Sequence, residues 1–160
     1  MTLRTTFTLQ ETLNKWKCDL KWELPSGPKS CYKFQNHEKM DWSKAEKACK
    51  NAGMHLIALE TEAELKLIAL HLAKDPKLGY YWWTGGMECP GRLVAGLKII
   101  PYGYYWDPGN TPITISWNKG QFENNENRET PVDLVNGGLS DYKRFEWIPH
   151  ICEYSRSDLK

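Results

Sequence analysis

Residues 41–72 read DWSKAEKACKNAGMHLIALETEAELKLIALHL, and this stretch decides the fold. The side-chain oxygen of Asp41 can cap a helix in which Trp42, Ala45, Ala48 and Cys49 recur at helical spacing on one face. Gly53 ends that helix. The apolar run Leu56-Ile57-Ala58-Leu59 reads as a buried strand. Thr61-Glu62-Ala63-Glu64 is a capping box opening a second helix, which turns Leu65, Ile68 and Leu72 inward until Pro76 stops it. Cys49 sits on the buried face of the first helix. Its natural partner is Cys152, in the strand Ile151-Cys152-Glu153-Tyr154, and that bridge closes the domain.

A chain of 160 residues with 41% hydrophobic content forms one domain with a proper core. Its formal charge of +1 and scattered basic residues give no phosphate-tracking patch, so a nucleic-acid partner is not expected. Lys44, Lys47 and Lys50, interleaved with Glu46, read as a solvated helix face. No stretch approaches the roughly 18 apolar residues of a membrane span. The start, Met1-Thr2-Leu3-Arg4, lacks the apolar core of a secretion signal, so either the protein is cytosolic or a signal has been removed and a start Met supplied.

The five cysteines favour the second alternative, a secreted protein. Cys18 and Cys31 flank the turn Leu24-Pro25-Ser26-Gly27-Pro28 and can staple a hairpin. A Cys49–Cys152 bridge closes a loop of about 100 residues, worth at most roughly 4.7 kcal/mol in the chain-entropy view. Cys89 is left unpaired.

In chain order, residues 1–15 read as a tail or short docking helix, 16–155 as the domain and 156–160 as a C-terminal tail. The hairpin spans 15–33 and leads through Ser30-Cys31-Tyr32-Lys33-Phe34 into the first helix. Tyr80-Tyr81-Trp82-Trp83-Thr84-Gly85-Gly86 suggests a buried aromatic strand that turns sharply at the glycines, its rings used for core packing ahead of ligand stacking. A second aromatic strand spans 102–106 and ends in the turn Asp107-Pro108-Gly109-Asn110. Between the two lies the loop Glu88-Cys89-Pro90-Gly91. Residues 117–129 concentrate carboxylate and amide oxygens of the kind hard cations such as calcium prefer, or simply form a soluble surface loop. Val132 to Val135 and 145–154 read as closing strands around the loop 136–141.

Together these residues resemble a C-type lectin-like domain over 18–154. The resemblance is carried by Cys18 with Cys31-Tyr32, the 42–49 helix, Gly53-Met54-His55-Leu56-Ile57-Ala58-Leu59 with Glu62 and Glu64, Trp82-Trp83-Thr84-Gly85-Gly86, Trp117, and Ile151-Cys152-Glu153. It implies an α+β double-loop fold with two helices, small antiparallel sheets, a long ligand-binding loop at about 107–145, and an N-terminal hairpin disulfide of the extended form. In calcium-dependent members, sugar hydroxyls coordinate a loop-bound calcium held by a Glu-Pro-Asn or Gln-Pro-Asp motif, a later Glu and a Trp-Asn-Asp motif. Here the first aligns with Gln121-Phe122-Glu123, followed by Asn124. The family's cis proline is lost, and a cis bond before Phe122 would cost about 2.5–4 kcal/mol. The later Glu aligns with Glu129, and the last motif with Ser140-Asp141-Tyr142. The cysteines of the family's second bridge fall on Pro131 and Phe145, which implies apolar packing in place of a staple.

Two functions follow. One is a secreted binding module that recognises a protein or other surface ligand through the long loop, with Phe122 and Tyr142 as aromatic anchors beside Gln121, Glu123, Asn124, Glu129 and Asp141. The other is a calcium-dependent, galactose-type lectin whose rearranged site uses Gln121, Glu123, Glu129 and Asp141 as ligands. No enzyme is expected: His37, His55, His71 and His150 show no metal spacing, His55 and His150 read as structural, and no nucleophile or phosphate-loop motif occurs. For Cys89 the expected uses are a disulfide to a second subunit, giving a homodimer, or a reduced buried thiol.

Overall fold

The computed structural model describes residues 17–25, 27–75, 77–78, 81–89, 92–94, 98–100, 103–107, 109, 111–118 and 130–155. The proposed tails at 1–15 and 156–160 lie outside them. So do Gln121, Phe122, Glu123, Asn124 and Glu129. The described strands are β1 Leu20–Leu24, β2 Gly27–Met40, β3 His55–Leu56, β4 Tyr81–Cys89, β5 Arg92–Val94, β6 Lys98–Ile100, β7 Gly103–Trp106, β8 Thr111–Pro112, β9 Pro131–Val135, β10 Gly138–Asp141 and β11 Ile148–Ser155. Two helices, α1 Trp42–Asn51 and α2 Glu62–Ala73, separate β2 from β4.

Both helices start as the residue types dictate. Asp41 accepts the Lys44 amide at 2.9 Å, and α1 buries Trp42, Ala45 and Cys49. Gly53, at φ 76°, ends α1 in the left-handed region that costs glycine little. Thr61 Oγ1 accepts the Glu64 amide at 3.2 Å, while the Glu64 carboxylate reaches back to the Glu60 amide at 3.1 Å. Leu65 and Ile68 of α2 are buried, with Leu72 packed beside them.

The main sheet runs β1-β2-β11-β4-β7-β8, with β9 and β10 branching from β4 and β3 lying on β11. β11 is antiparallel to β2 and parallel to β4, so the end of the chain is wedged between two strands of the earlier sequence. Cys18 and Cys31 are bonded across the β1–β2 hairpin, and Cys49 of α1 is bonded to Cys152 of β11. Trp82 and Trp83 are both fully buried, and because successive strand residues face opposite ways they enter different cores. Trp82 packs with Phe34, Ile68, Leu134 and Ile151; Trp83 packs with Trp42, Cys49, Leu56 and Ile148. One strand thus joins the α2 side of the molecule to the α1 side.

Several expectations are corrected. The strand expected over Leu56–Leu59 pairs only at His55–Leu56, because the Ala58 amide is taken by the buried carboxylate of Glu153 at 3.1 Å. Gly85 and Gly86 make no turn: β4 continues through them. A Cβ at Gly85 would lie 2.7 Å from the Asp107 carbonyl and 2.9 Å from that of Leu56, so glycine is required by crossing backbone. Glu88 and Cys89 end β4 rather than forming a loop, and both are buried. The expected loop 136–141 is a tight Asn136-Gly137 turn, at φ 52° and 76°, followed by strand β10 paired with β9. The last strand begins at Ile148, not Phe145. Pro131 is buried but Phe145 is 79% exposed, so the two do not pack in place of a disulfide; the Tyr142 amide bonds the Pro131 carbonyl at 3.1 Å instead.

Candidate binding site

The segment carrying Gln121 to Glu129 springs from two fixed points. On one side Asn118 gives its amide to the Leu139 carbonyl at 2.9 Å and its side-chain Nδ2 to the Val135 carbonyl at 2.8 Å. Gly138 makes room for that side chain, since a Cβ there would strike it. On the other side the Thr130 carbonyl accepts the Glu88 amide at 2.9 Å. Both anchors lie on the β4, β9 and β10 framework.

Asp141 and Tyr142 follow on the same framework, at the end of β10. The Tyr142 ring stacks on Tyr81 with centroids 5.5 Å apart and an interplanar angle of 13°, and it lies 5.9 Å from the Trp83 ring. Tyr81 is 44% exposed, so this stack reaches the surface. Partial desolvation, then Glu146, raises the Tyr142 phenol above its ordinary range. Tyr142 is therefore a packed ring at a surface edge rather than a free-standing anchor.

Beneath it runs a buried polar row that the sequence reading passed over. Register aligns Ser140 with Asp133, Asp133 with Trp83, and Trp83 with His150, so the four side chains share one sheet face. The Ser140 hydroxyl donates to Asp133 Oδ1, while Oδ2 has no partner among the described residues. Burial lifts the Asp133 carboxyl to about 6; Ser140 opposes the rise and Asp141 adds to it. His150 is buried with Nδ1 unpartnered among the described residues, and burial lowers its pKa against the pull of Glu38. A carboxylate in the middle of the strand, Asp133 between Val132 and Leu134, was the available signal.

The disulfide cysteines and His55 are already engaged. Cys49, His150 and Cys152 have ligand atoms within 4.8 Å of one another, yet the two sulfurs are bonded together and offer no thiolate to a metal. His55 Nδ1 lies 2.7 Å from the Leu56 carbonyl. A concavity of about 330 Å³ between β2 and the end of α2 is lined by Phe34, His71 and Leu78 with Asp19, Asp75 and Lys74; the Phe34 and His71 rings stack at 4.6 Å.

No family model matches the chain. Among characterised proteins it is 37% identical over 143 residues to lymphocyte antigen 75 of Mus musculus, covering 85% of this chain and 7% of that protein. It is 31% identical over 105 residues to C-type lectin 9a of Crotalus adamanteus, covering 62% of each. Human lithostathine superposes with a TM-score of 0.64 at 18% identity, covering 86% of this chain and 90% of that one. The Ca2+-independent C-type lectin SPL-2 of Saxidomus purpuratus superposes at 0.61 with 23% identity, covering 80% and 88%. The chain has the fold of a C-type lectin-like domain. It spans under two thirds of the length of both of those relatives, and a small fraction of the mouse one.

Proposed function

We propose that this chain is a secreted C-type lectin-like binding module that recognises a protein or other surface ligand through the long loop at about 107–145, with its calcium-dependent sugar site degenerate. It works by binding, not catalysis. The observation that carries this is the state of β10. Burial supports placing the apolar first member of the Trp-Asn-Asp motif at Leu139, which is fully buried and bridged to Trp117, one residue earlier than the alignment sets it. In either register the strand supplies one carboxylate, Asp141. Ser140 is engaged by Asp133, and the Tyr142 ring lies on Tyr81. The exposed edge of that stack supplies aromatic area of the kind that anchors protein ligands. The Ca2+-independent C-type lectin SPL-2, which shares the fold, supports a domain of this kind working without the ion.

A second reading, a galactose-type calcium-dependent lectin with ligands Gln121, Glu123, Glu129 and Asp141, is favoured by one feature. Asp133 keeps an unpartnered buried oxygen among the described residues and feels the charge of Asp141, and a bound cation would relieve both. Calcium titration by calorimetry on chelator-stripped protein, with thermal melts in calcium and in chelator, separates the readings. No heat and identical melts are expected up to millimolar calcium. A one-site isotherm with a raised melting temperature, lost in Glu123→Ala or Asp141→Ala, overturns the first reading and establishes the second. For Cys89, 7% exposed at the end of β4, the burial supports a reduced thiol over a bridge to a second subunit. Non-reducing electrophoresis is expected to show monomer, with Cys89 labelled only after denaturation.

A further inference from the structure

We propose that the 142–147 segment is a docking surface for an anionic lipid bilayer. Its two rings, Phe145 and Trp147, stand at and past the end of the loop site at about 107–145, and the proposal does not depend on what that loop binds. Phe145 is 79% exposed and Trp147 64% exposed, two large rings within three residues. Their exposure does not come from a loosely held loop. The Tyr142 amide bonds the Pro131 carbonyl, the Trp42 amide bonds the Arg144 carbonyl, and the Glu146 amide closes a turn onto the Lys143 carbonyl, each at 3.1 Å. Arg144 Nη2 adds a bond to Ser43 Oγ at 3.1 Å. The backbone is thus fixed to β9 and to the start of α1, and the rings project from it.

Each ring carries its own cation. Lys44 Nζ lies 5.4 Å from the Trp147 ring centroid, and Arg144 Cζ lies 5.8 Å from that of Phe145. Within 142–147 Arg144 and exposed Lys143 stand against Glu146, and at the start of α1 Lys44 stands beside the capping carboxylate of Asp41, so the two stretches together carry one net positive charge. Paired rings and cations match the boundary of an anionic bilayer, where aromatic side chains settle at headgroup depth and Lys or Arg meets lipid phosphate. The rings stand at a turn rather than in a groove. A protein partner would have to supply a fitted acidic pocket for them, whereas a bilayer yields around a protruding ring, so the geometry favours the bilayer.

The test is cosedimentation of the protein with vesicles of phosphatidylcholine alone and of phosphatidylcholine with about 30% phosphatidylserine, in chelator at roughly 0.1 M salt. Partition into the anionic vesicles is expected, with a blue shift of tryptophan emission that is absent in Trp147→Phe. The double variant Phe145→Ser, Trp147→Ser is expected to lose about tenfold or more in partition with an unchanged melt, since both rings are exposed. Lys44→Glu with Lys143→Glu is expected to weaken it by a similar factor. Failure of the wild type to bind, or equal binding to neutral vesicles, overturns the proposal. So does full binding by the ring variant. Ring-dependent self-association by light scattering without vesicles assigns the surface to a second copy, and binding to polyglutamate as tight as to vesicles assigns it to an acidic protein; either result also overturns it. Because chelator is present throughout, the outcome is independent of the calcium experiment.

Discussion

Glu64 and Glu153 place two carboxyls in the core around one phenol, and the site shows how much a single buried acid can do. Tyr32 donates its hydroxyl to Glu64 Oε2 at 2.5 Å, and Glu153 accepts the Ser30 hydroxyl at 2.7 Å and the Ala58 amide at 3.1 Å. Burial, then the charge of Glu153, raises the Glu64 carboxyl to about 8, and burial raises Glu153 as well. A carboxyl whose folded pKa lies above its unfolded value stabilises the fold fully below that unfolded value, and the contribution is lost as pH rises through the folded one. Melting temperature is therefore expected to fall as pH rises from the mid-fours to above 8. Glu64→Gln, neutral at every pH and still able to accept from Tyr32, is expected to flatten that slope in a series of thermal melts. From the sequence, Glu64 was legible as a helix-capping residue. Its second role was not, because Tyr32 and Glu153 lie far away in the chain.

Among the elements, β4 is the most constrained. Its Gly85 is hemmed in by the carbonyls of Asp107 and Leu56, so Gly85→Ala forces main chain apart and is expected to cost about 3 kcal/mol in chemical denaturation. Gly137 differs: its φ of 76° penalises any side chain, but its nearest neighbour is Ala69 Cβ at 3.7 Å, so Gly137→Ala should cost only about 1–2 kcal/mol. The comparison separates close packing from backbone conformation in one sheet. Both helices were readable because their caps and apolar spacing are local. β10 was missed although Asn136-Gly137 is a strong hairpin signal; its own residues, Gly138 to Asp141, have little strand character, and the β9 ladder makes the strand.

For the whole molecule, the bond between Cys49 and Cys152 ties α1 to the strand that pairs with β2, β3 and β4. Replacing both cysteines by alanine is expected to lower stability by about 2–5 kcal/mol in denaturant titration, with a larger effect than replacing Cys18 and Cys31, whose loop is much shorter. The same topology places the candidate surfaces. β4, β9 and β10 hold Asn118 and Thr130, the described residues on either side of 119–129, and the connection from β10 to β11 carries Phe145 and Trp147 past the start of α1.

By itself the sequence determined the local pieces: two capped helices, the stapled hairpin, the aromatic strand and the order of motifs that mark a C-type lectin-like domain. These rest on spacing and capping within a few residues, and such signals survive in one dimension. Tertiary structure alone decided which glycines were forced by packing, that Asp133 and His150 share a buried face across Trp83, that Tyr142 lies on Tyr81, and that Phe145 points outward. Each of those depends on which strands become neighbours. Pairing among β11, β4 and β9 joins residues far apart in the chain, and the free energy that selects it comes from burying Trp82 and Trp83 in two cores at once.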